Sequence, residues 1–147
     1  MAIGRRVPIL TVIVFVLLGI ATGIVALVTS AKSDPGEVLY VKHCQSCHLE
    51  EGQGLGKLIP PLAGSDWLEN HQDQLACIIR YGQYDSIIVN GQGYYEKMPG
   101  NEDLSDGQIL NIINYINTSW GNDIPEQQLI EVNEALDACS DWEYVQQ

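Results

Sequence analysis

Cys44-Gln45-Ser46-Cys47-His48 is the part of the chain whose residue types and spacing can do chemistry. Two thiols three positions apart, followed at once by an imidazole, match the CxxCH spacing of c-type haem attachment. On a helical turn each thiol can form a thioether to one haem vinyl, and His48 then lies where it can offer its imidazole to the iron. Two other readings stand beside this one. A CxxC pair also serves thioredoxin-like redox chemistry, but that needs a βαβ context, which this stretch lacks. It also forms half of many zinc sites, but no second close pair of Cys or His follows.

An electron-transfer haem needs a sixth ligand. Beyond the N-terminal segment the candidates are Met98, His43 and His71. Met98 stands in Lys97-Met98-Pro99-Gly100, a polar, Gly-rich stretch in which a core-filling methionine is out of place. Pro99 restricts Met98 toward extended backbone and so helps to hold a thioether in one position. His43, one residue before Cys44, reads as a surface residue, and His71, near a helix start, as a structural one. Between the two ligands, Leu58-Ile59-Pro60-Pro61-Leu62-Ala63-Gly64 is a rigid turn able to present a carbonyl to the proximal imidazole.

The elements around these residues are legible in part. Asp34-Pro35-Gly36-Glu37 reads as a capped helix start with Pro at the first position and a capping box, giving a helix to about Cys44. A second helix is expected from near Asn70, carrying Leu75, Ile78 and Ile79 and stopping at Gly82. Ser105 to Gln108 is another capping box. It opens a helix whose stripe of Ile109, Ile112, Ile113, Ile116 and Trp120 closes at Gly121. Ile87-Ile88-Val89 followed by Asn90-Gly91 reads as a small hairpin.

CxxCH, a P-x-L-x-G turn, Met-Pro and a final amphipathic helix together resemble the class I monohaem cytochromes c over about residues 35–121. The resemblance implies an all-α fold with one covalently attached haem c at its centre. It implies axial ligation by His48 and Met98, with the Pro60 carbonyl accepting from His48. It also implies that the N-terminal helix crosses the C-terminal one through Gly36, Tyr40 and Tyr115, with Ile112 beside them. More narrowly, the chain is similar to membrane-anchored bacterial respiratory cytochromes c. That likeness implies an electron carrier, not an enzyme, between a quinol-oxidising complex and a terminal haem–copper oxidase. The alternatives are a fixed subunit of a larger respiratory complex, or a haem enzyme or sensor with a displaceable Met.

The chain departs from the minimal pattern at both ends. After Gly121 it adds a helical extension, residues 122–147, with Leu129, Val132 and Leu136 on one face and a fourth cysteine, Cys139. Neither Cys139 nor Cys77 is needed for haem. We expect a Cys77–Cys139 disulfide that pins the extension to the haem domain of residues 32–121; two separate buried thiols are the alternative.

At the other end, Val7 to Val28 is almost entirely apolar and carries no charge, and about 20 such residues span a bilayer as a helix. Residues 1–31 therefore read as an uncleaved anchor. Arg5 and Arg6 before the span place the haem domain on the outer, periplasmic face of a bacterial cytoplasmic membrane. A cleaved signal peptide with Thr29-Ser30-Ala31 as its processing site is the alternative, but its apolar run would be roughly 7–15 residues. Gly19 and Gly23 form a GxxxG pair able to bring two membrane helices together.

Charge narrows the partners. The chain of 147 residues has a formal net charge of −12. Residues 33–147 hold four basic residues, Lys42, Lys57, Arg80 and Lys97, and all 19 acids, which puts that portion at −15. Nucleic-acid binding, which needs clustered Lys and Arg, is excluded, and nothing points to a small-molecule substrate. An acidic carrier is steered to basic surfaces; the alternative is that the acids keep the domain soluble or suit a salty habitat.

Overall fold

A computed structural model describes residues 8–17, 19 and 33–139. The chain divides into two compact units, Met1–Ser33 and Asp34–Gln147. In the first, residues 9–17 are helical. Among the described residues no helix is long and apolar enough to cross a membrane. The expected span continues to Val28, and its stretch 20–28, with Gly23 of the GxxxG pair, lies outside the described residues.

The second unit is built on helices. Helix α1 (Pro35–His43) starts where the Asp34 side chain accepts from the Gly36 N–H at 2.7 Å, and a short α2 (Gln45–His48) follows directly. Next come α3 (Asp66–Asn70), α4 (Leu75–Tyr81), α5 (Asp106–Thr118) and α6 (Leu129–Ala138). Two short antiparallel ribbons add to the helical framework. β1 (Gly82–Gln83) pairs with β4 (Met98–Pro99), and β2 (Ile87–Val89) pairs with β3 (Gln92–Tyr94). The second ribbon turns at Asn90-Gly91, where φ is 51° and 76°, the left-handed geometry a two-residue hairpin needs.

Helices α1 and α5 cross at Gly36. A Cβ there would meet Tyr115 Cβ at 2.6 Å, so only glycine lets the backbones come this close. Tyr40 fills the adjoining space, with its ring 5.4 Å from Tyr115 and 4.9 Å from Trp120. Ile109, Ile112, Ile113 and Ile116 of α5 are buried in the core with Leu68, Leu75 and Val132. The Ser105–Gln108 capping box is present in both directions.

Two expectations on element boundaries and one on a buried face are corrected. The helix expected from near Asn70 stops at Gly82 as expected but starts only at Leu75, and a separate helix, α3, precedes it. Ser65 caps α3, and the chain leaves it at His71, whose ring stacks on Trp67 at 4.3 Å and donates from Nδ1 to the Trp67 carbonyl at 2.7 Å. Gln72 donates to the Leu68 carbonyl at 2.8 Å. Side chains thus satisfy the carbonyls that a continuing helix would use. Helix α5 ends at Thr118 rather than including Trp120, which sits at φ 53° and packs back on Tyr40. In the extension Val132 is fully buried and Leu136 partly so, but Leu129 is exposed.

Candidate functional site

The CxxCH stretch lies where α1 hands over to α2. The Cys44 N–H donates to Tyr40 and the His48 N–H to Cys44, at 2.8 and 2.9 Å. This turn directs Cys44, Cys47 and His48 to one cleft. Cys44 is half-buried, Cys47 exposed and His48 buried. Met98 lines the same cleft, with apolar side chains such as Leu68, Ile78, Val89 and Ile112.

His48 is fixed in tautomer as well as place. Its Nδ1 lies 3.2 Å from the Pro60 carbonyl, so Nδ1 carries the proton and Nε2 keeps a free lone pair. Burial holds the imidazole below its usual pKa, with the Pro60 bond opposing in part; the neutral form is the one that ligates a metal. The Pro60 turn is itself held. Leu62 and Ala63 donate to the Gly52 carbonyl at 2.7 and 3.0 Å. Gly54, at φ 67°, lies so close that a Cβ there would be 2.7 Å from the Pro60 oxygen.

Met98 is half-buried and is carried on a strand, not a loose loop: its partner in β1 is Gln83. Of the other candidates, His71 is structural. His43 is half-buried rather than exposed, and its Nδ1 pairs with Asn101 at 3.1 Å. The structure joins Cys77 and Cys139 in a disulfide spanning 62 positions, in which Cys44 and Cys47 take no part.

Sequence reasoning missed the β1–β4 ribbon and an amide network that ties the extension down. Buried Asn117 donates to Gln72 at 2.7 Å and to the Pro125 carbonyl at 3.2 Å. Gln127 exchanges bonds with Asn114 and donates to the Gln72 carbonyl. Asn122 donates to the Leu62 carbonyl and accepts from Gly64, at 3.1 and 2.8 Å. The repeated Asn and Gln around Gly121 were the available signal, but short amides do not announce their partners.

Two thiols on one turn, an oriented neutral imidazole and a thioether open into one apolar cleft. These are the donors a covalently attached haem needs, and the site fits that group. Such a cleft on this helical framework defines a class I monohaem cytochrome c, an electron carrier.

The comparisons make the assignment narrower. The sequence profile of cytochrome C oxidase, cbb3-type, subunit III matches residues 31–116, and the chain belongs to that family. It is 38% identical over 97 residues to the cytochrome c subunit of the quinone alcohol dehydrogenase of Gluconacetobacter polyoxogenes, covering 63% of this chain but 20% of that relative. It is 34% identical over 91 residues to cytochrome c-552 of Thermus thermophilus, covering 59% of this chain and 69% of that relative. The chain thus spans only a fifth of the length of the dehydrogenase subunit it matches.

Proposed function

We propose that the protein is a membrane-anchored electron carrier with His48 and Met98 as axial haem ligands, moving electrons from a quinol-oxidising complex to a terminal haem–copper oxidase. The observation that carries the ligation is the cleft that gathers Cys44, Cys47, His48 and Met98, with Pro60 orienting the imidazole. When bound, the haem supplies a one-electron Fe(III)/Fe(II) couple. The chain supplies the rest. Cys44 and Cys47 would hold the group at two points. His48 and Met98 would fill both axial positions and leave no place for a substrate. The apolar wall would exclude water and disfavour the extra charge of the ferric state.

The anchor reading rests on the uncharged Val7–Val28 run and on Arg5 and Arg6, which put the haem domain on the periplasmic side. The carrier role rests on the likeness to respiratory cytochromes and on the acidity of residues 33–147. A second reading, a fixed subunit of a larger complex, is favoured by the family's description as an oxidase subunit and by the relative named as a subunit of a quinone alcohol dehydrogenase.

The test is to isolate the full-length protein from membranes in mild detergent, record its ferric spectrum, and follow its oxidation by oxidase-containing membranes. The carrier reading expects a full-mass membrane protein, a weak far-red sulfur–iron band and oxidation on the timescale of turnover. Stable co-purification with a dehydrogenase or oxidase core would favour the fixed subunit. Absence of the far-red band would remove Met98 as ligand.

A further inference from the structure

The backbone carrying Met98 runs along the C-terminal end of α4, and the Asn101 side chain also reaches His43 of α1 at 3.1 Å. Gly82 and Gln83 pair with Pro99 and Met98. The Asn101 N–H donates to the Ile79 carbonyl at 2.9 Å. Arg80 donates to the Glu102 carbonyl at 3.2 Å and pairs with Asp106 at 2.6 Å. Two glycines make the approach possible. A Cβ on Gly82 would lie 2.6 Å from the Met98 oxygen, and one on Gly100 would lie 2.5 Å from the Arg80 oxygen. Residues 98–106 are thus laid along residues 79–83.

The C-terminal extension is one of two elements that hold α4, which also packs on α5. Cys77 sits in the middle of α4 and is covalently joined to Cys139 at the end of α6. Val132 of α6 is fully buried in the core that also contains Leu75 and Ala76 of α4. The start of the same extension holds the opposite ligand's support, because Asn122 bonds Leu62 and Gly64 in the turn that presents Pro60 to His48. The two ends of one segment therefore reach the supports of both candidate ligands. They do so differently: at the Pro60 turn through hydrogen bonds alone, at α4 through a covalent link.

We propose that the extension, locked by Cys77–Cys139, is a positioning brace for Met98: it fixes α4, and through the β1–β4 ribbon fixes the thioether against displacement. Cys77, Cys139 and Gly100 are positioning residues. The inference rests on the His48/Met98 reading. A thioether is a weak, neutral ligand, so how long it stays in place depends on how rarely its strand opens locally. Fixing the helix beneath that strand lowers the population of open states. His48 lies in α2, directly after α1, and is oriented by Pro60, so it does not depend on this link.

The test uses the ferric, full-length holoprotein and imidazole as the displacing probe. Loss of the far-red sulfur–iron band after mixing reports opening of the Met98 strand. The C77A/C139A double variant is expected to lose the band about tenfold faster than the parent while keeping its His48-ligated haem spectrum and helix content. Gly100→Ala, which lifts the strand with the disulfide intact, is expected to accelerate loss as well. Ile113→Val, a core change away from the cleft, controls for general loss of stability and is expected to leave the rate within about twofold.

If the double variant fails to fold, hydrogen exchange on the ferrous parent replaces it, before and after phosphine cleavage of the disulfide. The peptide covering residues 98–101 is expected to lose protection, and that covering residues 48–60 to keep it. A parent that shows the band but displaces Met98 no faster once the disulfide is gone overturns the brace alone. A parent without the band overturns the ligation reading and the brace with it.

Discussion

Met98 and His48 are asked for opposite kinds of help. An imidazole with a proton on Nδ1 and a lone pair on Nε2 binds a metal by itself once its tautomer is set, and one carbonyl, that of Pro60, sets it. A thioether has no second atom to orient, so its placement falls to the backbone. Met98→Ala is expected to abolish the far-red band, to open the iron to imidazole and to lower the reduction potential, read by spectroelectrochemical titration. Tyr40 shows how a buried hydroxyl writes itself into pH dependence. Its O–H donates to the Leu49 carbonyl at 2.6 Å, and burial holds its pKa above the usual value. The folded state therefore keeps a proton that the unfolded state releases above about pH 10. Stability from this group is complete below that pH and falls as pH rises beyond it. In alkaline denaturant titrations Tyr40→Phe is expected to start about 1 kcal/mol less stable and to show a shallower decline. A decline unchanged in steepness would assign the alkaline loss elsewhere.

At the level of elements, the crossing of α1 with α5 decides whether the cleft has a back wall. Gly36→Ala puts a methyl where Tyr115 already stands, and overpacking of that kind costs typically about 1–3 kcal/mol. The expected readout is a lower denaturant midpoint with Cys44, Cys47 and His48 unchanged. This crossing was legible in the sequence, because Gly36, Tyr40 and Tyr115 fall at positions a resemblance could carry over. So were the capping box at Ser105 and the Asn90-Gly91 hairpin, whose signals are local. The break at His71 was not, since an imidazole and an amide turning back to cap α3 is a tertiary choice between equally polar partners. Nor was β1 pairing with β4, because two residues facing two carry no periodicity. The chemistry-bearing residues were legible through their types and spacing. The supports that aim them were legible only where a glycine or proline marked the backbone.

Across the whole chain, all 19 acids fall outside the apolar N-terminal run, while the cleft has a mostly apolar lining. Electron exchange with a cationic partner is expected to slow as ionic strength rises from about 10 mM to 0.5 M, because the screening length shrinks from about 30 Å to a few ångströms. Stopped-flow rates that do not change with salt would leave the acids a role in solubility alone.

The four cysteines carry a demand that belongs to biosynthesis rather than to the finished protein. Cys77 and Cys139 are joined and buried, whereas Cys44 and Cys47 must still be thiols when haem is attached, since only thiols can form the two thioethers. One nascent chain must thus be oxidised at one pair and spared at the other, although thiol–disulfide exchange can scramble four cysteines as long as they share solvent. Chain order works against the haem pair, since it emerges first and waits longest for its partner. An odd cysteine makes the conflict worse. Cys139→Ser alone, which strands Cys77, is expected to yield less haem per chain than the double variant C77A/C139A, measured by haem absorbance against protein mass. Closing the distant pair early takes two competitors out of the exchange, so the disulfide would guard maturation at a site it never touches.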